Sequence, residues 1–211
     1  MEMRLKIGDR EEALGFRDGF RFETAAEALI APVENEIRAR LGSLVYGADD
    51  EKMEEIVGRE LKTRGLTVAT AESCTGGLVA SRLTDVAGSS EYVKGGIVSY
   101  TDEVKAKLLG VPREILAEHG AVSEPTARAM AESARRVLGA DIAVSTTGLA
   151  GPGGGTENTP VGTVFIAAAG ADGTVTEKHS FTGTRGQIKF RASQAALALL
   201  REELEKNKLC R

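Results

Sequence analysis

Two apolar runs in this chain end in residues that together could form an amine-activated hydroxyl nucleophile. The first is Leu66–Gly77 (LTVATAESCTGG), where a short apolar stretch breaks directly into Glu72-Ser73-Cys74-Thr75 and two glycines. A strand ending this way sets the Ser73 hydroxyl at a helix N-terminus, where unpaired backbone N–H groups point outward and hold negative charge. Such a place suits a serine nucleophile or a bound phosphate. The second run ends in Ser99-Tyr100-Thr101-Asp102-Glu103-Val104-Lys105. Lys105, once desolvated and neutral, could take the serine proton. Tyr100 would act as a hydroxyl relay or a substrate contact. Glu72 would be a first-turn acid favoured by the helix dipole, or would orient a polar network.

Each of these residues also has an ordinary structural use. Ser73 on its own reads as a helix N-cap, but Thr75 could cap equally well and leave Ser73 free. Gly76 and Gly77 are costly at a helix start unless something approaches the backbone closely, as a phosphate or oxyanion would. Lys105 by default is a solvated helix lysine, like Lys107. Cys74 is the rival nucleophile, although its side chain should point away from that of Ser73. His119 precedes Gly120 in a loop with no evident orienting acid, and is read as structural.

Two further segments carry ligand-binding signals. Thr147-Gly148-Leu149-Ala150-Gly151-Pro152-Gly153-Gly154-Gly155 follows the apolar strand Ile142 to Thr146. Thr147 and Gly148 would then face a ligand at the carboxyl end of a sheet, with Gly153 to Gly155 as a rim. The spacing matches neither a P-loop nor a dinucleotide fingerprint. Arg185 would occupy the first turn of the last helix, where a cation opposes the dipole by about 0.3–1 kcal/mol. That placement makes sense if an anion binds there, with Arg191 as the fallback.

The elements that position these groups are legible from periodicity. Met53, Ile56, Val57 and Leu61 mark one helix face that Gly65 ends. Leu66 to Ala71 reads as a strand, Gly77 to Thr84 as a helix, Tyr92 to Tyr100 as a strand and Lys105 to Leu109 as a short helix. Ser123 caps a helix whose core face is Ala127, Met130, Ala131, Ala134, Val137 and Leu138, stopped by Gly139. Val161 to Ala169 and Thr174 to Phe181 form a hairpin about Ala171-Asp172-Gly173. Thr184 and Gln187 suggest a capping box opening a helix that runs past Leu204. This order predicts an α/β fold, a three-layer α/β/α domain with a mixed β-sheet. A small α+β appendage of residues 1–50 precedes it: strands at MRLKIG and Phe16 to Phe22, then a helix from about Ala25 to Leu41. Gly42, Gly47 and Ala48-Asp49-Asp50 mark its boundary with residues 51–211.

Bulk properties narrow the function classes. The chain has 211 residues, 42% of them hydrophobic and only 4% aromatic, so its core must come from Ala, Val, Leu and Ile. A net charge of -4 leaves no basic footprint for nucleic acid. No run is long enough to span a membrane and no signal peptide opens the chain, so a cytoplasmic location is expected. Cys74 and Cys210 are the two cysteines, which implies a reduced compartment. With two histidines and no Cys cluster, neither a metal nor a cofactor is expected. Ala-rich helix faces are compatible with a homodimer.

AESCTGG (Ala71–Gly77), GGIVSYTDEVKAKLLGV (Gly95–Val111), HGAVSEPTA (His119–Ala127), TGLAGPGGG (Thr147–Gly155) and FTGTR (Phe181–Arg185) together resemble the CinA C-terminal family. These are nicotinamide-nucleotide amidases, also called nicotinamide mononucleotide deamidases. The resemblance covers about Glu51 to Leu204, in order. It implies hydrolysis of the carboxamide of nicotinamide mononucleotide to nicotinate mononucleotide and ammonia. By that resemblance Ser73 is the nucleophile, Lys105 its general base, Tyr100 the family's tyrosine, and Thr147 and Arg185 substrate-binding positions. Backbone N–H groups from Cys74, Thr75, Gly76 and Gly77 are the expected oxyanion donors, by the argument from helix entry. Thr147 and Gly148 would contact the nucleotide, and Arg185 its phosphate. The first fifty residues look like the tail of the middle segment of longer CinA proteins, which would make this chain a fragment or a short form. The alternatives are a nucleotide-binding module without catalysis, in which Ser73 and the glycines only hold phosphate, and an interaction scaffold dependent on residues 1–50.

Overall fold

A computed structural model of the protein describes residues 2–7, 10–15 and 19–206. Two compact units are formed, Met1–Ala48 and Asp49–Arg211. In the first, strands β1 (Glu2–Ile7) and β2 (Arg10–Gly15) pair antiparallel, and helix α1 (Gly19–Leu41) follows. The strand expected at Phe16 to Phe22 is corrected. Residues 16–18 lie outside the described residues, and the backbone from Gly19 is already helical. Helix propagates readily once nucleated, so the Ala- and Glu-rich run carries α1 back past Ala25. Cys210 also lies outside the described residues.

The second unit is an α/β fold on a mixed five-stranded sheet. Its strands are β3 (Val68–Glu72), β4 (Val93–Val98), β5 (Ile142–Gly148), β6 (Thr163–Gly170) and β7 (Gly173–Ser180), in the order β4-β3-β5-β6-β7. β3 runs parallel to both neighbours, whereas β5, β6 and β7 are antiparallel in turn. The chain leaves β3 through helix α3 (Leu78–Thr84) to reach β4 on one side. It then returns across the sheet to β5 on the other side, through α4 (Asp102–Val104), a π-helical turn (Lys105–Leu109), α5 (Arg113–His119) and α6 (Glu124–Leu138). Connections that diverge from one central strand open a crevice at its carboxyl end.

Side-chain alternation along the strands builds the two layers of core. Val68 of β3 with Ile142 and Val144 of β5 packs against α2 (Met53–Arg64), α3 and α7 (Arg185–Lys206). Ala69, Ala71 and Ala143 face the other way, onto Met130 and Ala134 of α6. Ala167 and Ala169 of β6 meet Ala127 and Ala131. Alanine on both sides lets α6 lie close to the sheet. Leu138 packs on this layer, but Val137 is 51% exposed and does not belong to the expected core face. It precedes the helix stop at Gly139, where the apolar stripe has rotated off the sheet.

Several termini match their sequence signals. Gly65 takes the left-handed conformation that ends α2, and the Ser123 Oγ accepts the Thr126 N–H at the start of α6. At α7 the Thr184 N–H donates to Gln187 Oε1 at 2.8 Å and the Gln187 N–H to Thr184 Oγ1 at 3.4 Å, the reciprocal capping box. Gly162 links the glycine-rich loop to the entrance of α7. Its N–H donates to the Leu149 carbonyl at 2.7 Å and its carbonyl accepts the Phe181 N–H at 2.9 Å. Its φ is +98°, and an added Cβ would lie 1.8 Å from the Phe181 oxygen. Gly162→Ala should therefore lower unfolding stability in urea by about 1–3 kcal/mol from strain alone. A change below about 0.5 kcal/mol would mean that this junction yields freely.

Candidate active site

The first turn after β3 sets the geometry of the site. The Ser73 N–H donates to the Thr146 carbonyl at 2.9 Å, and the Gly76 N–H donates to the Ser73 carbonyl at 3.1 Å. Gly76 and Gly77 then adopt φ of 63° and 94°, which residues with a Cβ resist. That swing brings the start of α3 over the Glu72 side chain. Glu72 Oε2 accepts the Thr75 hydroxyl at 2.6 Å, the Gly77 N–H at 2.9 Å and the Val79 N–H at 3.1 Å. Oε1 accepts the Ala80 N–H at 2.8 Å. A buried carboxylate thus satisfies the unpaired N–H groups that a serine or threonine side chain would usually cap.

The donors at the α3 N-terminus are engaged from inside by Glu72. Thr75 is fully buried, with its hydroxyl also 2.6 Å from Thr146 Oγ1. Gly76 and Gly77 spend their N–H groups on Ser73 and Glu72. These three residues shape the turn, and the glycines are there for backbone geometry. Ser73 is not the cap, and its hydroxyl is left for other work.

Lys105 comes to meet it. Thr101 Oγ1 accepts the Val104 N–H at 3.4 Å and starts the short helical turn. A π-helical turn then begins at Lys105 itself, an irregularity frequent at functional sites. The Lys105 Nζ lies 3.2 Å from Ser73 Oγ and donates to the Ser99 carbonyl at 2.9 Å. The side chain is only 1% exposed. Burial lowers its pKa from the ordinary lysine value, opposed more weakly by the nearby Asp102 carboxylate. A neutral amine can donate to Ser99 while its lone pair accepts the Ser73 proton. The arrangement can supply a nucleophile, a base and a group that orients the base.

Cys74 is a poorer nucleophile than its neighbour. Burial pushes its thiol up to about 11, so little thiolate exists near neutral pH. Its side chain joins the core with Val79 and Val144. His119, expected in a loop, instead ends α5, with Gly120 as its C-cap.

A cavity of about 280 Å³ opens over the serine and lysine. Ser73, Cys74, Lys105, Thr147 and Gly148 line it, with the stretch from Leu149 to Gly151 as one wall. Ala121 and Val122 form another wall, held by the Thr147 hydroxyl, which donates to the Ala121 carbonyl at 2.6 Å. Arg185 spans the mouth: Nη2 donates to the Tyr100 hydroxyl and Nη1 to the Gly151 carbonyl, both at 2.8 Å. Tyr100 is thereby tied to the cation at the rim, and its hydroxyl does not bridge the serine and lysine as a relay would. Arg191 donates to the Thr182 carbonyl and does not line the cavity. A second hollow, of about 320 Å³ and bordered by Glu132, Arg135 and Arg136, lies at the far end of α6 and contains none of these groups. Among the described residues no group of three or more His, Cys, Asp or Glu side chains is arranged to hold a metal ion, and no helix is long and apolar enough to cross a membrane.

Comparison with known proteins agrees with the resemblance. The CinA C-terminal domain profile matches residues 50–204. A protein named as competence-damage inducible from Symbiobacterium thermophilum is 51% identical over 191 residues, which cover 86% of this chain and 45% of that protein. A CinA-like protein of Syntrophus aciditrophicus is 48% identical over 183 residues, covering 86% of this chain and 44% of that one. The chain therefore spans less than half the length of these curated relatives. Among solved structures, a CinA superfamily protein of Klebsiella pneumoniae superposes with a TM-score of 0.70 at 38% identity, covering 74% of this chain and 99% of that one. A competence/damage inducible protein of Agrobacterium tumefaciens gives 0.69 at 39% identity, covering 75% and 99%.

The burial of Lys105 has a thermodynamic signature. An unfolded lysine keeps its proton to about pH 10.4, whereas the folded one gives it up earlier. The penalty on folding is full below the folded pKa and is relieved as pH rises from there toward the unfolded value. Lys105→Met should therefore be more stable than the wild type at pH 7 in denaturant titrations, with the gap narrowing toward pH 10. A gap that is reversed, or that widens with pH, would contradict a lysine whose charge is disfavoured by burial.

Proposed function

The chain belongs to the CinA C-terminal domain family, and on that premise we propose that it is a nicotinamide-nucleotide amidase acting through a serine ester. The observation that carries this reading is the 3.2 Å approach of the buried Lys105 Nζ to Ser73 Oγ. Neutral Lys105 takes the Ser73 proton as Oγ attacks the carboxamide carbon of nicotinamide mononucleotide. The tetrahedral intermediate collapses when the lysine ammonium passes its proton to the amide nitrogen, and ammonia leaves. Water, deprotonated by the same amine, then cleaves the ester to nicotinate mononucleotide and restores the Ser73 hydroxyl. Of the four residues expected to donate to the oxyanion, Cys74 is the one whose N–H fits the role. Gly76 and Gly77 are engaged elsewhere, and Thr75 is not among the cavity-lining residues.

Arg185 is the assigned partner of the 5′-phosphate. With α3 capped by Glu72, anion recognition falls to the cation at the start of α7. Two of its five N–H groups are taken by Tyr100 and Gly151, which leaves three to donate to phosphate oxygens. Thr147 and Gly148 bound the part of the cavity that would hold the nucleoside. Tyr100 supports Arg185 and contacts the same end of the substrate.

Ammonia release from nicotinamide mononucleotide separates these roles. Ser73→Ala should lose at least about 10³-fold in kcat while still binding the nucleotide. Arg185→Ala should raise KM by about 10- to 100-fold with kcat nearly unchanged. Turnover by Ser73→Ala at wild-type rates would exclude the serine ester. Tight binding by the wild type without any ammonia release would favour a non-catalytic nucleotide module.

A further inference from the structure

Deprotonating Ser73 makes Lys105 an ammonium, and an ammonium carries three N–H donors and no lone pair. Two acceptors are already in place, Ser73 Oγ and the Ser99 carbonyl. A third is needed inside a site from which the lysine side chain is shielded from water. The hydroxyl of Ser99 is fully buried and has no hydrogen-bond partner. A buried polar group left unpaired is destabilising, so its retention calls for a reason. It is tethered to the same Cα as the carbonyl that Lys105 already touches, and its oxygen has two lone pairs to offer.

We propose that Ser99 is a positioning residue whose hydroxyl rotates to accept the third N–H of Lys105 when the lysine carries the Ser73 proton. This inference deepens the serine-ester reading and rests on it. In the resting site the lysine is neutral, donates to the Ser99 carbonyl and accepts from Ser73, and the Ser99 hydroxyl has nothing to do. On attack, the proton moves from Ser73 Oγ to Nζ, and the new ammonium is held by Ser73, the Ser99 carbonyl and the Ser99 hydroxyl. When the proton passes on to the leaving nitrogen, the hydroxyl is released again. The same cycle serves the attack of water on the ester. The device favours the charged lysine only during the steps that need it, without a permanent carboxylate that would hold the amine protonated.

The other groups around Lys105 do not fill this role. Asp102 acts from its own helical turn through charge alone, and Cys74, on the turn after β3, keeps its proton near neutral pH and packs into the core. Tyr100 and Arg185 bond to each other at the mouth. On the α6 side, Arg136 lies near Gly110 at the far end of the turn.

The test is the pH dependence of ammonia release by the intact chain carrying Ser99→Ala, beside Ser99→Thr and the wild type. Losing an acceptor for the charged form should move the acid limb of kcat down by about one pH unit. The plateau should fall about tenfold, so the deficit is greatest at high pH and smallest on the acid side. Ser99→Thr keeps the hydroxyl and should restore the wild-type limb. Thermal unfolding should show Ser99→Ala as stable as the wild type or more so, because an unpaired buried hydroxyl has been removed. An unshifted acid limb with an unchanged plateau would overturn the proposal. So would a uniform loss of kcat at every pH accompanied by a lower melting temperature, the mark of a packing role. Should Ser99→Ala not fold, Ser99→Cys, with its weak acceptor, must give an intermediate limb, and a wild-type limb there also overturns it. Absence of ammonia release by the wild type would instead count against the amidase reading itself.

Discussion

A primary amine removed from water with no carboxylate bonded to it tends to give up its charge, and the rest of this site depends on that tendency. Lys105 is buried more completely than most leucines in the molecule, and its two polar neighbours are a carbonyl and a hydroxyl. Had a carboxylate been paired with it, the lysine would be a structural cation and Ser73 an ordinary serine. The fold supplies the desolvation by laying the π-helical turn against α6, with Leu109 and Val111 in the same apolar layer as Met130. Catalytic potential and packing therefore come from the same contacts.

The two helix N-termini that flank the cavity are treated oppositely, and this explains much of the polar architecture. At α3 the chain supplies its own anion, the Glu72 carboxylate, and the donors there are committed before any substrate arrives. At α7 the cap is the neutral Thr184–Gln187 pair, and a cation, Arg185, stands in the first turn against the dipole. For the mononucleotide substrate proposed above, with one anionic end, a carboxylate at one terminus and a cation at the other would favour a single direction of binding. The polar run Ser145-Thr146-Thr147 serves the same end. Its hydroxyls bond in turn to α6 at Ala127, to the β3 turn at Thr75 and to the α5–α6 loop at Ala121, and hold the cavity walls in register.

How much of this was legible in the sequence follows from how local each signal is. The strand and helix order, Gly65, Ser123 and the Thr184–Gln187 box rest on contacts within a few residues, and the structure has them where periodicity and capping rules place them. Arg185 was noticeable because it violates a local rule, and the structure sets it at the cavity mouth. The hydrogen-bond partners of Gly76 and Gly77 were not legible, because the Ser73 carbonyl and the forward-reaching Glu72 side chain meet their N–H groups only once the turn has formed. Tyr100 was drawn toward the serine and lysine by its place in the chain, whereas its bond to Arg185 crosses 85 positions. Ser99 gave no signal at all. Its carbonyl and hydroxyl matter only because β4 ends beside β3, which is a fact of strand order.

Trapping the covalent intermediate tests the central claim most directly. Wild-type protein mixed with nicotinamide mononucleotide, quenched in acid within the first turnover and mapped by peptide mass spectrometry, should carry the nucleotide acyl group as an ester on Ser73. Quenched samples that have released ammonia but carry no adduct on Ser73, or carry it on Cys74, would contradict a serine nucleophile served by a neutral buried lysine.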